Sequence, residues 1–206
     1  MVGVGTPPGG VAAQRSRRRE ELLDAAIEAI RIHGPGATME QLARGGGVTK
    51  PILYRHFGDR DGLIEAIAER FSADLMLDVS SHLRVGTDPR AVVVATVEAY
   101  VGFLEREPEL YGFLVQQPHP RPEHRTPLGP LVEVIGPQIA AVARTHLQAA
   151  GDDGTKAEPW AYGMIGLVHQ ATHWWLRDRT LPRDRFVAHV VDLVWGGVSA
   201  SVGSGR

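Results

Sequence analysis

Apolar residues recur along this chain at steps of three and four, and almost nowhere in simple alternation, so the pattern is helical nearly from end to end. Leu22, Leu23, Ala26, Ile27 and Ile30 make one stripe of a helix predicted over 14–33, which Gly34-Pro35-Gly36 stops. Thr38 and Gln41 have the spacing of a capping box ahead of a short helix that carries Met39, Leu42 and Ala43. Three glycines, Gly45-Gly46-Gly47, cannot prolong that helix cheaply. A second short helix comes next, with Thr49 as its cap, Pro51 in its first turn where a missing N–H does no harm, and Gly58 as its stop. Asp59 caps a fourth helix bearing Leu63, Ile64, Ile67, Phe71 and Leu75, which fades near Gly86. Further helices are predicted over 90–106, 108–116, 126–150, 158–178 and 183–202, separated by Pro-rich or Gly-rich breaks. The expected fold class is therefore all-α, about nine helices in all: a disordered lead over 1–13, a three-helix DNA-binding domain with a helix-turn-helix over 14–60, and a larger helical ligand-binding and dimerisation domain over 61–206.

Composition removes several classes of function. The 206 residues include no cysteine, which excludes disulfides, thiolate metal sites and cysteine nucleophiles. The first residues have no signal-peptide core, and no run of about 18 apolar residues occurs, so a cytoplasmic protein with no membrane association is expected. Gly45-Gly46-Gly47 lacks the Gly-Lys-Ser/Thr that would complete a phosphate-binding loop, and no Gly-x-Ser-x-Gly elbow is present. His169 and His173 stand four apart, but no acidic residue has ligand spacing beside them. Neither an enzyme nor a cofactor or metal is expected.

The net charge of −2 divides unevenly. Residues 1–60 hold nine Lys or Arg against six Asp or Glu, and the remainder thirteen against eighteen, so the positive charge gathers at the N-terminal end. Arg15, Arg17, Arg18 and Arg19 account for much of it, either as a solvated lead or as a basic arm for phosphates.

A short capped helix, a four-residue turn and another short helix, directly after a longer one, have the arithmetic of a helix-turn-helix. The second helix offers the Thr49 hydroxyl, free N-terminal amides, Lys50, Tyr54, Arg55 and His56, a set that suits a groove lined by phosphates. Leu53 and Phe57 would anchor it from behind. From pattern alone, the same turn also fits an amphipathic helix with a wet face.

The run 19–71, above all GATMEQLARGGGVTKPILYRHFGDRDGLIEAI, resembles the N-terminal domain of the TetR family of transcriptional regulators. That resemblance implies phosphate contacts from Thr38 and Thr49 at helix starts. It implies Lys50, Pro51 and Tyr54 over base edges, and Tyr54, His56 and Arg60 on the backbone. Arg55 lies beside them and could read guanine. Gly45-Gly46 departs from the family's usual helix formers, so a looser turn is expected. The resemblance further implies a homodimer on palindromic double-stranded operator DNA, most often a repressor, released by a small effector.

The rest of the chain carries less specific signals. Phe71, Leu75, Tyr100, Phe103, Leu104, Tyr111, Phe113, Gln116 and His169 are the candidate pocket residues for an apolar or amphipathic effector, with core packing as the alternative. Met164, Leu167, Ala171, Trp174 and Trp175 on one C-terminal helix, with Val190, Val191, Val194 and Val198 on the next, are the candidate dimer interface, or else they pack inside one subunit. The competing function is a helical scaffold or small-molecule carrier without DNA-binding activity.

Overall fold

A computed structural model describes residues 8–82, 88–117 and 129–203. Among them are nine α-helices and no strand: α1 (Pro8–His33), α2 (Met39–Gly45), α3 (Lys50–Phe57), α4 (Arg60–Ser80), α5 (Pro89–Arg106), α6 (Pro108–Gln116), α7 (Gly129–Ala149), α8 (Ala157–Asp178) and α9 (Arg183–Gly203). α1 starts six residues before the predicted start at Gln14, so part of the predicted lead over 1–13 is helical; residues 1–7 lie outside the described residues. The end of the fourth predicted helix near Gly86 also falls outside them, beyond the last helical residue Ser80. No helix among the described residues is long and apolar enough to cross a membrane.

The helices form two compact units, one of residues 1–71 with 107–127, the other of 72–106 with 128–206. The sequence divides at 60/61 by motif, whereas packing divides by core: Leu63, Ile64 and Ile67 of α4 are buried with the helix-turn-helix.

In the first unit, Leu22, Ala26 and Ile30 of α1 meet Leu42 of α2, Leu53 of α3 and the α4 residues Leu63 and Ile67 in one core, each of these side chains 0 or 1% exposed. Gly45 and Gly46 let α2 end hard against α1. A Cβ on Gly45 would stand 3.0 Å from the Ala25 carbonyl oxygen, and one on Gly46 2.7 Å from Leu22 Cδ2. These glycines serve close approach rather than the looser turn expected from sequence. α6 packs on α1: Arg31 forks onto Glu107, Nε to Oε2 at 3.0 Å and Nη2 to Oε1 at 2.8 Å, and the backbone of Gly112 lies against Pro35. Tyr111 stacks on Phe71 with ring centres 6.4 Å apart, and burial pushes its phenol up to about 12.

The second unit is centred on Trp175, 1% exposed, whose ring lies parallel to Phe186 at 4.7 Å and whose indole N–H donates to the Leu181 carbonyl at 2.8 Å. α7 packs on α8 and α5 on α9, and Glu105 accepts from Arg179 at 2.9 Å and Arg183 at 2.8 Å. Tyr100 and His169 Nδ1 share a hydrogen bond of 2.9 Å, and burial, then the neighbouring His173, holds the His169 ring below its ordinary 6.5.

This packing has two measurable consequences. Gly45→Ala should lower stability by about 1–3 kcal/mol in thermal melts, because the α1 backbone cannot give way, although alanine is the better helix former. His169 titrates near 6.5 when unfolded and lower when folded, so just below 6.5 the unfolded chain binds more protons. Stability should therefore fall as pH drops through 6.5, by no more than about 1.4 kcal/mol per pH unit. His169→Gln should flatten that limb in melts at pH 7.5 and 5.5.

Candidate functional site

The helix-turn-helix is built as its capping residues dictate. Thr38 and Gln41 form both arms of the capping box: Gln41 N–H donates to Thr38 Oγ1 at 3.3 Å, and Thr38 N–H to Gln41 Oε1 at 2.7 Å. The Thr38 hydroxyl also donates to Gln41 Oε1 at 3.0 Å, so it is committed locally. Gly46 to Thr49 make the turn, with Gly47 at φ 67°, a conformation that glycine adopts without steric cost. Thr49 has the extended backbone of an N-cap, yet its hydroxyl makes no capping bond and stands exposed at the start of α3. Pro51 sits in the first turn, as predicted. Leu53 and Phe57, 0 and 8% exposed, seat the helix, while Arg55 is exposed and Lys50, Tyr54 and His56 are half-buried around it. Arg60, placed by sequence among the backbone contacts, hydrogen-bonds Gln117 and lies 3.5 Å from Asp61.

Three features of this surface were not visible in the sequence. Lys50 Nζ donates to Glu40 Oε1 at 3.0 Å and lies 5.8 Å from the Tyr54 ring centre; the pair lowers the Glu40 carboxyl and raises the Lys50 amine. Arg18 donates to the Gly46 carbonyl at 3.3 Å and Arg19 lies over the Phe57 ring at 4.8 Å, so these arginines belong to the folded head rather than to a loose arm. Burial, then Arg55, Arg15 and Arg18, holds His56 below its ordinary value, so these cations share one field. Only the charge run at 15–19 hinted at this. Its helical placement rests on α1 beginning at Pro8.

The second unit contains a cavity of about 430 Å³. α5 supplies Val92, Thr96 and Tyr100, and α7 supplies Ile139, Val142 and His146. Trp160, Met164 and Val168 of α8 and Val194 and Trp195 of α9 complete most of the wall. Of the candidate pocket residues, only Tyr100 lines it. Leu75, Phe103 and Leu104 are buried in the core of the same unit, and His169 reaches Tyr100 from outside the lining. Phe71, Tyr111 and Phe113 are core of the first unit, and Gln116, on α6 of that unit, is not part of the lining either. Aromatic spacing along a helix could not separate core from cavity wall, because both are apolar stripes.

The candidate dimer residues also divide. Trp175, Val190, Val191 and Val194 are buried within their own unit, at 1 to 5% exposure, and Met164, half-buried, lines the cavity. Leu167 and Ala171 are half-buried and Trp174 is 43% exposed; the side chain of Val198, on α9, lies outside the described residues. Leu193, also on α9, is 63% exposed. A Cβ on Gly163, Gly166 or Gly196 would meet open space among the described residues.

Comparison with known proteins agrees with this architecture. Residues 22–67 match the family described as "Bacterial regulatory proteins, tetR family", and residues 78–204 match "Tetracyclin repressor-like, C-terminal domain". An uncharacterized HTH-type transcriptional regulator of Mycobacterium tuberculosis is 31% identical over 91% of this chain and 80% of its own length. The HTH-type transcriptional activator FasR of Mycolicibacterium smegmatis is 30% identical over 90% of this chain and 84% of its own. The transcriptional regulator FadR of Bacillus subtilis, solved in complex with stearoyl-CoA, superposes with a TM-score of 0.66 at 13% identity, covering 85% of this chain and 96% of that one. Both halves of the chain match, the relatives align over most of their length, and the helix-turn-helix has the geometry these matches require: this protein belongs to the TetR family and is a DNA-binding transcriptional regulator.

Proposed function

We propose that the chain acts in the cytoplasm as a homodimer that grips palindromic operator DNA with α2 and α3 and releases it when an apolar or amphipathic molecule fills the cavity of the second unit. Its role is regulatory rather than catalytic. The observation that carries the DNA contact is the side of α3 left uncovered by the core. It combines an exposed Thr49 hydroxyl with no capping bond, Lys50, Tyr54, Arg55 and His56, with Arg15 and Arg18 close enough to act on the His56 ring. Thr49 and His56 suit phosphates, and Lys50, Pro51, Tyr54 and Arg55 suit base edges. Thr38 and Arg60 would exchange their present partners to reach the backbone.

Two heads about 34 Å apart would read a palindrome in successive major grooves. For the dimer face, helical glycine costs roughly 0.5–1 kcal/mol against alanine, and nothing among the described residues fills the space beside Gly163, Gly166 or Gly196. A second copy packed closely there, under Trp174 and Leu193, gives these glycines a purpose. Effector release is a matter of linkage: a ligand that prefers the subunit geometry unsuited to the operator weakens DNA affinity by the factor that DNA weakens its own. α4 runs through the boundary at Phe71, and so is one covalent route between the two events. An operator overlapping a promoter gives repression, the sign we propose; the FasR relative is named an activator, a difference that operator position can produce.

The test is selection from a genomic fragment library at two salt concentrations, with Tyr54→Ala alongside. One palindrome should be enriched, with affinity falling steeply with salt and at least roughly tenfold in the variant; no enrichment at either salt would overturn the proposal. A phosphate beside His56 raises a ring that the free head holds low, so the complex binds more protons than the free protein. Operator affinity should therefore strengthen from pH 7.5 to 6, and His56→Gln should reduce that trend. Gly166→Leu should convert the dimer to monomer in sedimentation while each subunit stays folded; a dimer that survives would place the interface elsewhere.

A further inference from the structure

With α3 as the helix that enters the major groove, a reading on which this inference rests, the turn of the helix decides which side chains stand foremost. Leu53 and Phe57 fix its buried side. At about 100° per residue, the direction opposite them falls on Arg55, with Pro51 about 40° to one side and Ile52 about 60° to the other. Exposure agrees: these three are exposed, whereas Lys50, Tyr54 and His56, turned nearer the core, are half-buried. The foremost strip of α3 is therefore one cation between two apolar residues.

Ile52 does not seat the helix: 36% of it remains in solvent, against 0% for Leu53 and 8% for Phe57. It also costs helix propensity relative to alanine in a helix of only eight residues. Arg55 makes no hydrogen bond or ion pair among the described residues, whereas Lys50 is held by Glu40. Residues three apart on a helix have Cβ atoms about 5–6 Å from each other, and bases on one strand rise by about 3.4 Å, so Ile52 and Arg55 suit neighbouring base pairs. The major groove edge of the bases has a single apolar feature, the C5 methyl of thymine; its other groups are hydrogen-bond donors and acceptors. Laid on cytosine or a purine, Ile52 would strip water from those groups and return no hydrogen bond. Laid on thymine, it takes a methyl group out of water. Arg55 beside it matches guanine, whose O6 and N7 accept its fork.

We propose that each operator half-site holds a G·C pair read by Arg55 directly beside a T·A pair, and that Ile52 selects that thymine through its methyl group. The probe is the palindrome enriched from the genomic library. The guanine is located with 7-deazaguanine, which lacks N7: it should weaken binding at least about fivefold for the parent and not for Arg55→Ala. The thymine beside it is then replaced by deoxyuridine, which pairs identically and lacks only the methyl. Affinity should fall about fourfold for one half-site and about fifteenfold for both, the worth of burying one methyl and then two. In Ile52→Ala the ratio between thymine and uracil sites should shrink below about twofold; because the ratio is taken within one protein, any loss of folded protein cancels. An enriched site with no thymine beside that guanine, a parent that binds the uracil site as tightly as the thymine site, or a discrimination that survives Ile52→Ala would overturn the inference while leaving operator binding by α3 intact. Failure to enrich any site overturns the operator reading, and the inference with it.

Discussion

The orientation of the DNA-facing helix depends on how closely α2 can approach α1. α3 is only eight residues long, too short to hold itself as an isolated helix, so its direction is imposed by what lies behind it. Behind it is a core in which Leu22, Leu42 and Leu53 are essentially free of water, and that core closes only because Gly45 and Gly46 have no side chains. Arg18, bonded to the Gly46 carbonyl, and Arg19, over the Phe57 ring, brace the turn and the far end of the motif from the same helix. The first unit extends this bracing to α6 through the Arg31–Glu107 fork and the Phe71–Tyr111 stack, so the head's rigidity is drawn from well outside the motif.

The second unit solves the opposite problem. It must be stable and yet leave a void of about 430 Å³ unfilled by its own side chains. The parallel Trp175–Phe186 stack, with its indole hydrogen bond and the Glu105 ion pairs beside it, concentrates stabilising contacts in one part of the bundle. α7 and α8 can then line open space with Ile139, Val142, Met164 and Val168 rather than with interlocked core residues. A protein that responds to a ligand needs this division, because a uniformly packed interior has no room for one.

How much of the molecule was legible in the sequence varies with the range of the physics involved. Capping boxes, glycine stops and apolar stripes act within a few residues, so the predicted helix at 108–116 coincides with α6, and the predicted 158–178 and 183–202 differ from α8 and α9 by one residue. The helix-turn-helix was legible for the same reason, with a family pattern to support it. Cavity and interface were legible only in part, because they depend on which of two equally apolar faces meets a neighbour. Trp175 and Trp174 are adjacent in sequence, yet one is the centre of a core and the other stands in solvent. The Glu40–Lys50 pair spans ten residues across a turn, and no local rule connects them.

In the proposed operator complex, that pair would change the ionic balance of binding. When a lysine that was surrounded by water meets a phosphate, counterions condensed on the DNA are released and affinity becomes steeply salt-dependent. Lys50 already has an anion, so in the proposed complex its move to a base edge would be an exchange: the Glu40 carboxylate would be set free and would recruit a cation of its own. Part of the ion release at that contact is thereby cancelled, and a salt titration would count fewer phosphate contacts than the protein makes. The free protein, meanwhile, presents α3 with one positive charge masked, which weakens its hold on arbitrary sequence more than on a site whose bases repay the exchange.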